Sequence, residues 1–147
     1  MDDAQRLLAW ANDPTVRAAS FHARRIGWDE HRRWLAARLA SPNCRLLIGV
    51  QGEMAVGQVR FDRNPAGTVE IGISVGGDAR RRGVGAALLG AALEAVRADV
   101  AFDARAFVAR VRVGNDASIR LFRGAGFRLR EEASCDGVPC LVYELAS

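Results

Sequence analysis

The chain has 147 residues, half of them hydrophobic, which is the size of one ordinary domain with a core of its own. Its formal charge is +4 and all 21 basic residues are arginine, which suits a polyanionic ligand such as a phosphate-bearing cofactor, although a GC-rich coding bias is the simpler explanation. No apolar run approaches the ~20 residues of a membrane span, and the amino terminus lacks the pattern of a signal peptide. The arginines are scattered without interleaved aromatic residues, so neither a membrane nor nucleic acid is expected as a partner.

The three cysteines, Cys44, Cys135 and Cys140, are odd in number and form no C-x-x-C pair. This pattern predicts neither a structural zinc site nor a disulfide framework, and it fits a reducing, cytoplasmic location. We expect the cysteines to be ordinary core or surface residues and expect no bound metal.

The first third of the chain has helical periodicity. An amphipathic helix is predicted over residues 3–12, ended by the turn Asn12-Asp13-Pro14, and a polar loop follows. A second helix is predicted from about Trp28 to Ala40, where Ser41-Pro42-Asn43 ends it.

After that point the pattern changes to that of strands. Residues 68–75 alternate strictly, with Val69 and Ile71 on one face and Glu70 on the other. A long Ala/Leu helix is predicted from about Val84 to Ala98, a shorter one over residues 115–123, and a closing hairpin around Asp136-Gly137. The predicted strands cover residues 45–50, 55–62, 68–75, 105–111, 127–131 and 138–145. This order predicts a single α/β domain over residues 1–147, with a mixed sheet and helices on both faces.

The strongest local signal is the run from Ile73 to Leu89, in which an apolar strand leads through a Gly/Arg loop directly into a helix. This arrangement points backbone N–H groups and the positive end of the helix dipole at the loop, where Gly83 and Gly85 let a bulky anion approach. A pyrophosphate would fit, although a plain helix start with glycines explains the run as well. The GK[ST] ending of a Walker loop is absent, and Leu88 breaks the G-x-G-x-x-G pattern of dinucleotide-binding proteins.

Two motifs resemble those of the GNAT acetyltransferase superfamily. Residues 80–85, RRRGVG, match its acyl-CoA signature R/Q-x-x-G-x-G/A, and residues 115–127 match N-x-x-S/A-x-x-L/F-Y/F-x-x-x-G-F. Two motifs in the family's order are more specific than either alone, and the resemblance covers roughly residues 3–147.

This resemblance implies a central, mostly antiparallel sheet of six to seven strands, in which a splayed strand pair holds acetyl-CoA. The loop amides would bind the pyrophosphate, the strand ending at Val75 would pair with the pantetheine arm, and a backbone amide near Ile73 or Val75 would polarise the thioester carbonyl. Asn115 would bond the arm from the other side, or cap its own helix with Ser118 three residues later. The implied cofactor-binding residues are Ile73, Ser74, Val75, Arg80, Arg81, Arg82, Gly83, Val84, Gly85, Ala86, Asn115, Ser118 and Phe122.

Glu70 is the candidate catalytic base, because acetylation of an alkyl amine requires the neutral amine and several family members carry a glutamate here that acts through water. In a central strand covered on both faces, we expect its carboxylate to be costly to ionise. The alternative is a structural ion pair with an arginine such as Arg60 on the neighbouring strand.

No general acid is assigned, because Phe122 stands where many relatives carry a tyrosine that protonates the leaving thiolate. The pKa of a thiol, about 8.5, allows departure unassisted or through water. We expect Phe122 to pack against the thioester end of the pantetheine, and Tyr143, the only tyrosine, to be structural. His31 is interpreted as a packed or solvated histidine.

We expect the acceptor to be a small-molecule amine. Three phrases resemble a subset linked to amino-sugar acetylation, which includes the pseudaminic-acid pathway N-acetyltransferase: Asn12-Asp13-Pro14-x-Val16-Arg17-x-x-Ser20, His31-x-x-Trp34 and Gly57-Gln58-Val59-Arg60-Phe61-Asp62. The candidate acceptor contacts are Arg17, Ser20, His22 and Arg60, and a pocket lined by Arg17, Arg24 and Arg60 would favour a nucleotide diphosphate. A ribosomal-protein-like peptide Nα-acetyltransferase and a non-catalytic acyl-CoA-binding module stay open as alternatives.

The resemblance also implies an opening strand that this chain lacks. Either the sheet lacks its edge strand or the chain is a fragment of a longer protein. A missing edge strand would leave exposed backbone that favours a homodimer through strand pairing.

Overall fold

The computed structural model describes residues 3–19, 24–76 and 83–146. Within them the helices are α1 (Asp3–Ala11), α2 (Pro14–Ala19), α3 (Trp28–Ala40), α4 (Val84–Ala98) and α5 (Asp116–Gly124). Helices α3 and α4 have the predicted bounds. Helix α2 replaces part of the predicted polar loop, because proline is favoured in the first turn of a helix, where its missing N–H would have no acceptor. None of these helices has the length and apolarity to cross a membrane.

The described residues form six strands, which are β1 (Cys44–Gln51), β2 (Met54–Arg63), β3 (Thr68–Val75), β4 (Ala106–Arg112), β5 (Arg128–Cys135) and β6 (Val138–Ala146). They form one mixed sheet in the order β1-β2-β3-β4-β6-β5, in which only β3 and β4 are parallel neighbours. The predicted α/β class and mixed sheet are therefore confirmed. Strand β5 extends four residues beyond its predicted end at Glu131 because it pairs with β6 up to the Asp136-Gly137 turn.

The core lies between the sheet and α4. Val59, Phe61 and Val69 point from β2 and β3 to this face and are completely buried, as is Leu89 of α4. Buried positions on α4 recur at helical spacing, so one apolar stripe of the helix covers the sheet. On the opposite face α3 packs on β1, and Trp34 of α3 lies over Arg60 of β2. Helices thus cover both faces of the sheet.

Helix α4 approaches the sheet closely at Gly57 of β2. A Cβ atom there would lie 2.6 Å from the carbonyl oxygen of Ser74 and 2.8 Å from Leu88 Cδ2. The neighbour is backbone and cannot easily move, so we expect Gly57→Ala to lower the free energy of unfolding by about 1–3 kcal/mol through overpacking.

Urea denaturation measures this loss, with Gly90→Ala as the matched control. Gly90 lies exposed in α4 with nothing within 4 Å of its missing Cβ. That variant should gain about 0.5–1 kcal/mol from helix propensity. Equal midpoints for Gly57→Ala and the unchanged protein would show that the approach of α4 to β2 is not tight.

The structure corrects the prediction that no disulfide is present, because Cys135 and Cys140 are bonded. Their Cα atoms are 6.0 Å apart, within the usual range for a disulfide. In the β5–β6 hairpin Cys135 pairs with Val138, and Cys140 lies two residues further along on the same face. The spacing of the two cysteines around a two-residue turn carried this signal, which an odd cysteine count obscured. Cys44 is a free thiol, buried as a core residue.

Candidate active site

The parallel strands β3 and β4 separate part-way along their length. Their register comprises three pairs, which end at Glu70 and Val108. Beyond that point β3 stays paired with β2 up to Val75, and β4 stays paired with β6 up to Arg112. A gap therefore opens in the sheet between residues 71–75 of β3 and 109–112 of β4, as the expected splayed pair requires.

The amino end of α4 lies beside the wide end of this gap. Gly83 precedes the helix in a left-handed conformation, with φ +73° and no side-chain cap, and a Cβ atom there would meet nothing within 4 Å. Ala87 N–H donates to the Gly83 carbonyl at 3.2 Å, so the amides of residues 84–86 precede the first bond within the helix. Gly85 lies against Val75 of β3 and against Leu121 of α5.

These amides and the dipole of a 15-residue helix create positive potential where β3 ends. A helix start of this kind is suited to a phosphate group. The other predicted phosphate contacts, Arg80, Arg81 and Arg82, lie outside the described residues.

Helix α5 begins at the end of β4, on the opposite side of the gap. The Asn115 side chain accepts a hydrogen bond from Ser118 N–H at 3.2 Å, which is the predicted helix cap. Its amide nitrogen is not used by this bond, so capping leaves Asn115 a donor for a ligand.

Glu70 is the last β3 residue paired with β4, so it lies where the gap begins. Its side chain is 52% exposed, and the expectation of a buried carboxylate is wrong. The face of the sheet that carries Glu70 is only partly covered by α1 and α3, so water reaches the carboxylate. The predicted structural alternative is also corrected, because the charged partner of Glu70 is Arg110 of β4, at 3.9 Å, and not Arg60.

Arg60 belongs to a cluster under α3 that we call the tryptophan cluster, formed by Trp34, Arg38, Arg60 and Asp62. The Asp62 carboxylate accepts from Arg60 Nε at 2.9 Å and from Arg38 Nη1 at 2.5 Å. Both guanidinium groups lie near the Trp34 ring, at 5.4 Å for Arg60 and 5.9 Å for Arg38. Cation–π contacts and charge-assisted hydrogen bonds therefore fix the position of Arg60.

Of the other predicted acceptor contacts, Arg17 and Arg24 lie close together, with Arg17 Nη1 3.4 Å from the carbonyl oxygen of Arg24. Arg17 Nε donates to the carbonyl of Ala11 at 2.6 Å, and partial burial lowers the pKa of this guanidinium with a further contribution from the charge of Arg24. Arg24 forms a two-bond ion pair with Glu30, which raises the pKa of Arg24. Ser20 and His22 lie outside the described residues.

Two aromatic residues of the carboxyl-terminal half, Phe122 and Tyr143, are buried. Phe122 is 4% exposed and packs edge-on against Phe127 with ring centroids 5.1 Å apart. Tyr143 is 1% exposed within the core, which agrees with its predicted structural role. Phe122 has no hydroxyl, so it cannot donate a proton to a leaving thiolate. His31 is buried between α1 and α3, where its Nε2 lies 2.9 Å from the Ala4 carbonyl oxygen.

Cys44 offers no nucleophile. Burial, followed by the charge and hydrogen bond of Asp62, raises the pKa of its thiol, which keeps the sulfur protonated at neutral pH. Within the described part of the chain, no three His, Cys, Asp or Glu side chains form a group that could hold a metal ion.

Sequence analysis did not identify Arg110 as the neighbour of Glu70. Alternation along β4 does place Arg110 on the face opposite to buried Phe107 and Ala109. Its approach to Glu70, however, depends on the register of two strands that are distant in sequence, which a single chain's pattern does not specify.

Known proteins share this domain and fold. The family model described as "Acetyltransferase (GNAT) domain" matches residues 1–128. Ribosomal-protein-alanine N-acetyltransferase from Brucella melitensis superposes with a TM-score of 0.84 at 23% identity, covering 99% of this chain and 94% of that chain. The putative acetyltransferase yncA from Salmonella typhimurium, solved with its cofactor acetyl-CoA, superposes with a TM-score of 0.80 at 21% identity, covering 98% of this chain and 88% of that chain. Aminoglycoside acetyltransferase AAC(6')-Ib in complex with coenzyme A superposes with a TM-score of 0.81 at 16% identity, covering 98% of this chain and 89% of that chain. No curated protein matches the chain.

Proposed function

Because the chain belongs to the GNAT acetyltransferase family, we propose that it transfers an acetyl group from acetyl-CoA to a primary amine. The observation that carries this proposal is the gap between β3 and β4, which has the amino end of α4 at one end and Glu70 at the other. A long cosubstrate with a diphosphate in its middle and a thioester at its tip would place the diphosphate at the amino end of α4 and the thioester near Glu70.

The residues present fit coenzyme A. The amides of Val84, Gly85 and Ala86 would bind the diphosphate, and Gly83 leaves open space in front of them. The part of β3 beyond Glu70 would pair its backbone with the pantetheine arm, along the edge from which β4 has separated. Asn115 would donate to the arm from the other side of the gap. When bound, acetyl-CoA supplies an activated acetyl thioester at the narrow end.

Glu70 would act as the base, either directly or through a water molecule. Its carboxylate accepts a proton from the acceptor ammonium, which leaves the amine lone pair free to attack the thioester carbonyl. Its partial exposure suits this role, because the proton must afterwards pass to solvent. The thiolate of coenzyme A departs without a protein acid, which a thiol pKa of about 8.5 allows, and the second proton that the nitrogen loses on forming the amide passes to the thiolate or to water.

Two substitutions separate the helix-capping role of Asn115 from its proposed contact with the pantetheine arm. Asn115→Ala should lower the free energy of unfolding by about 0.5–2 kcal/mol, because the amide of Ser118 loses its acceptor. Asn115→Asp keeps the acceptor and should retain stability, yet it loses the amide donor and should bind coenzyme A more weakly in calorimetry. Unchanged affinity in Asn115→Asp would limit Asn115 to capping.

The acetyl donor is proposed as one molecule, acetyl-CoA, whereas the acceptor is proposed only as a chemical class. The phrases around Asn12-Asp13-Pro14 and Trp34 favour a nucleotide-linked amino sugar. A peptide amino terminus is the second candidate, and it is the acceptor class in the name of the Brucella melitensis neighbour. A cytoplasmic location stays a prediction, and the Cys135–Cys140 bond is more typical of an oxidising compartment.

The decisive assay is thiol release from acetyl-CoA in the presence of an amine panel, with the products identified by mass spectrometry. The panel contains UDP-linked amino sugars, amino-terminal peptides, polyamines and small amino acids. Acetylation of any of these amines supports the proposal. Tight coenzyme A binding with no turnover on the whole panel would instead identify a non-catalytic acyl-CoA-binding module.

A further inference from the structure

On the face of the sheet that carries Glu70, a notch lies over Gly72 of β3. Gly72 pairs with Arg60 of β2, and because Gly72 has no side chain, the Arg60 guanidinium lies across its backbone. A Cβ atom at Gly72 would be 3.1 Å from Arg60 Nη2 and 3.5 Å from its Cζ. The head group of Arg60 thus reaches over β3 toward the gap.

The tryptophan cluster holds Arg60 by one side of its guanidinium and leaves the other side open. Nε donates to Asp62, and the Trp34 ring lies 5.4 Å away, whereas the two Nη atoms have no hydrogen-bond partner within residues 3–19, 24–76 and 83–146. The Arg60 side chain is 33% exposed. A fixed guanidinium with an unused Nη edge binds a planar or tetrahedral anion through two parallel hydrogen bonds.

A second cation stands on the opposite side of the notch. Arg110 extends from β4 on the same face, is 42% exposed, and meets Glu70 at 3.9 Å, beyond hydrogen-bond distance. The arginines Arg38, Arg60 and Arg110 outnumber the carboxylates Asp62 and Glu70, so the group carries one net positive charge. Since Asp62 is already shared by two arginines, the notch itself favours an anion.

We infer that this notch, which we call the Arg60 notch, binds a carboxylate or phosphate on the acceptor while Glu70 receives the proton of its amine. Glu70 and Gly72 are two residues apart on one face of β3, roughly 7 Å along the strand. The acceptor is therefore an amine whose anionic group lies within a few bonds of the reacting nitrogen. This inference rests on the proposed acetyl transfer and specifies the substrate class.

The test uses matched amine pairs that differ in the anion alone, measured by thiol release from acetyl-CoA. Alanine against alaninamide tests a carboxylate, and phosphoethanolamine against ethanolamine tests a phosphate. In the unchanged protein, the anionic member of at least one pair should have a kcat/KM about 10- to 100-fold higher. The pair that shows this preference identifies the anion.

Two variants remove the notch by different routes. Arg60→Gln removes the cation, and Gly72→Ala shifts the guanidinium by a few tenths of an ångström while keeping every charge. Arg60→Gln should raise KM for the anionic amine by about 10- to 100-fold and so remove its advantage over the neutral partner, and Gly72→Ala should reduce the same advantage by a smaller factor. Because Gly72→Ala meets only the far end of a flexible side chain, it should fold even if Arg60→Gln does not.

Arg38→Gln is the matched control, since Arg38 contacts the same Trp34 ring and the same Asp62 carboxylate but does not lie over Gly72. This variant lowers the charge of the group by the same amount as Arg60→Gln but keeps the Nη edge of Arg60, so it should keep more of the preference for the anion than Arg60→Gln does. Equal rates within both pairs, or an unchanged KM in both notch variants, would overturn the inference while leaving acetyl transfer intact. An absence of turnover on the full amine panel would overturn the proposed function itself, and the inference with it.

Discussion

Glu70→Gln is expected to lower kcat/KM for amine acetylation by roughly 100- to 10,000-fold at pH 7, the usual contribution of a positioned base. The variant keeps the shape of the side chain but cannot accept a proton. Glu70 lies at the start of the gap and is half-exposed, so the substitution buries no new group and should leave the fold intact.

The pH dependence separates a base from a residue that only shapes the site. The deficit of Glu70→Gln should shrink as pH rises toward the pKa of an alkyl ammonium, about 10.4, because the acceptor then deprotonates without help. Glu144→Gln is the control, since Glu144 is a half-exposed carboxylate on the same face that pairs with Arg130. A deficit independent of pH, or a similar deficit in Glu144→Gln, would remove Glu70 as the base.

Gly83→Val is expected to raise the Kd of coenzyme A by at least about 10-fold, the value of one hydrogen bond to a charged group. Gly83 has φ +73°, a conformation that a β-branched residue resists. The strain should reorient the amides of residues 84–86, and the new side chain would occupy the open space in front of them.

Calorimetric titration with coenzyme A measures this effect, and Gly52→Val provides the control for strain. Gly52 has φ +63° and open space around it, but it lies in the β1–β2 turn away from the gap. It should lose similar stability and bind coenzyme A normally. Equal affinities in Gly83→Val and the unchanged protein would place the diphosphate elsewhere.

The elements of this fold were predictable where local chemistry determines them. Helix α4 has the predicted bounds because an Ala/Leu stripe follows Gly83 directly, and β3 has them because Val69 and Ile71 alternate with polar or small residues between glycines. The Asp136-Gly137 turn follows the same logic, since both residues adopt positive φ. Such features depend only on residues that are adjacent in sequence, so one amino-acid sequence is enough to predict them.

The errors concern contacts between distant segments. Glu70 was expected to be buried because β3 is central, but α1 and α3 leave this part of the face uncovered, so the side chain is half-exposed. Its pairing with Arg110 requires the β3–β4 register. The missed Cys135–Cys140 bond is the exception, because its two residues are close in sequence and flank a two-residue turn. The motif residues Gly83, Val84, Gly85 and Asn115 were placed correctly at two helix starts, because capping and glycine conformations are local.

A crystal structure of the protein with coenzyme A tests the central claim most directly. We predict that the diphosphate lies within hydrogen-bond distance of the backbone amides of residues 84–86 and that the pantetheine arm runs along residues 73–75 toward Glu70. A bound coenzyme A whose diphosphate lies away from the amino end of α4, or whose arm avoids the gap between β3 and β4, would contradict the account.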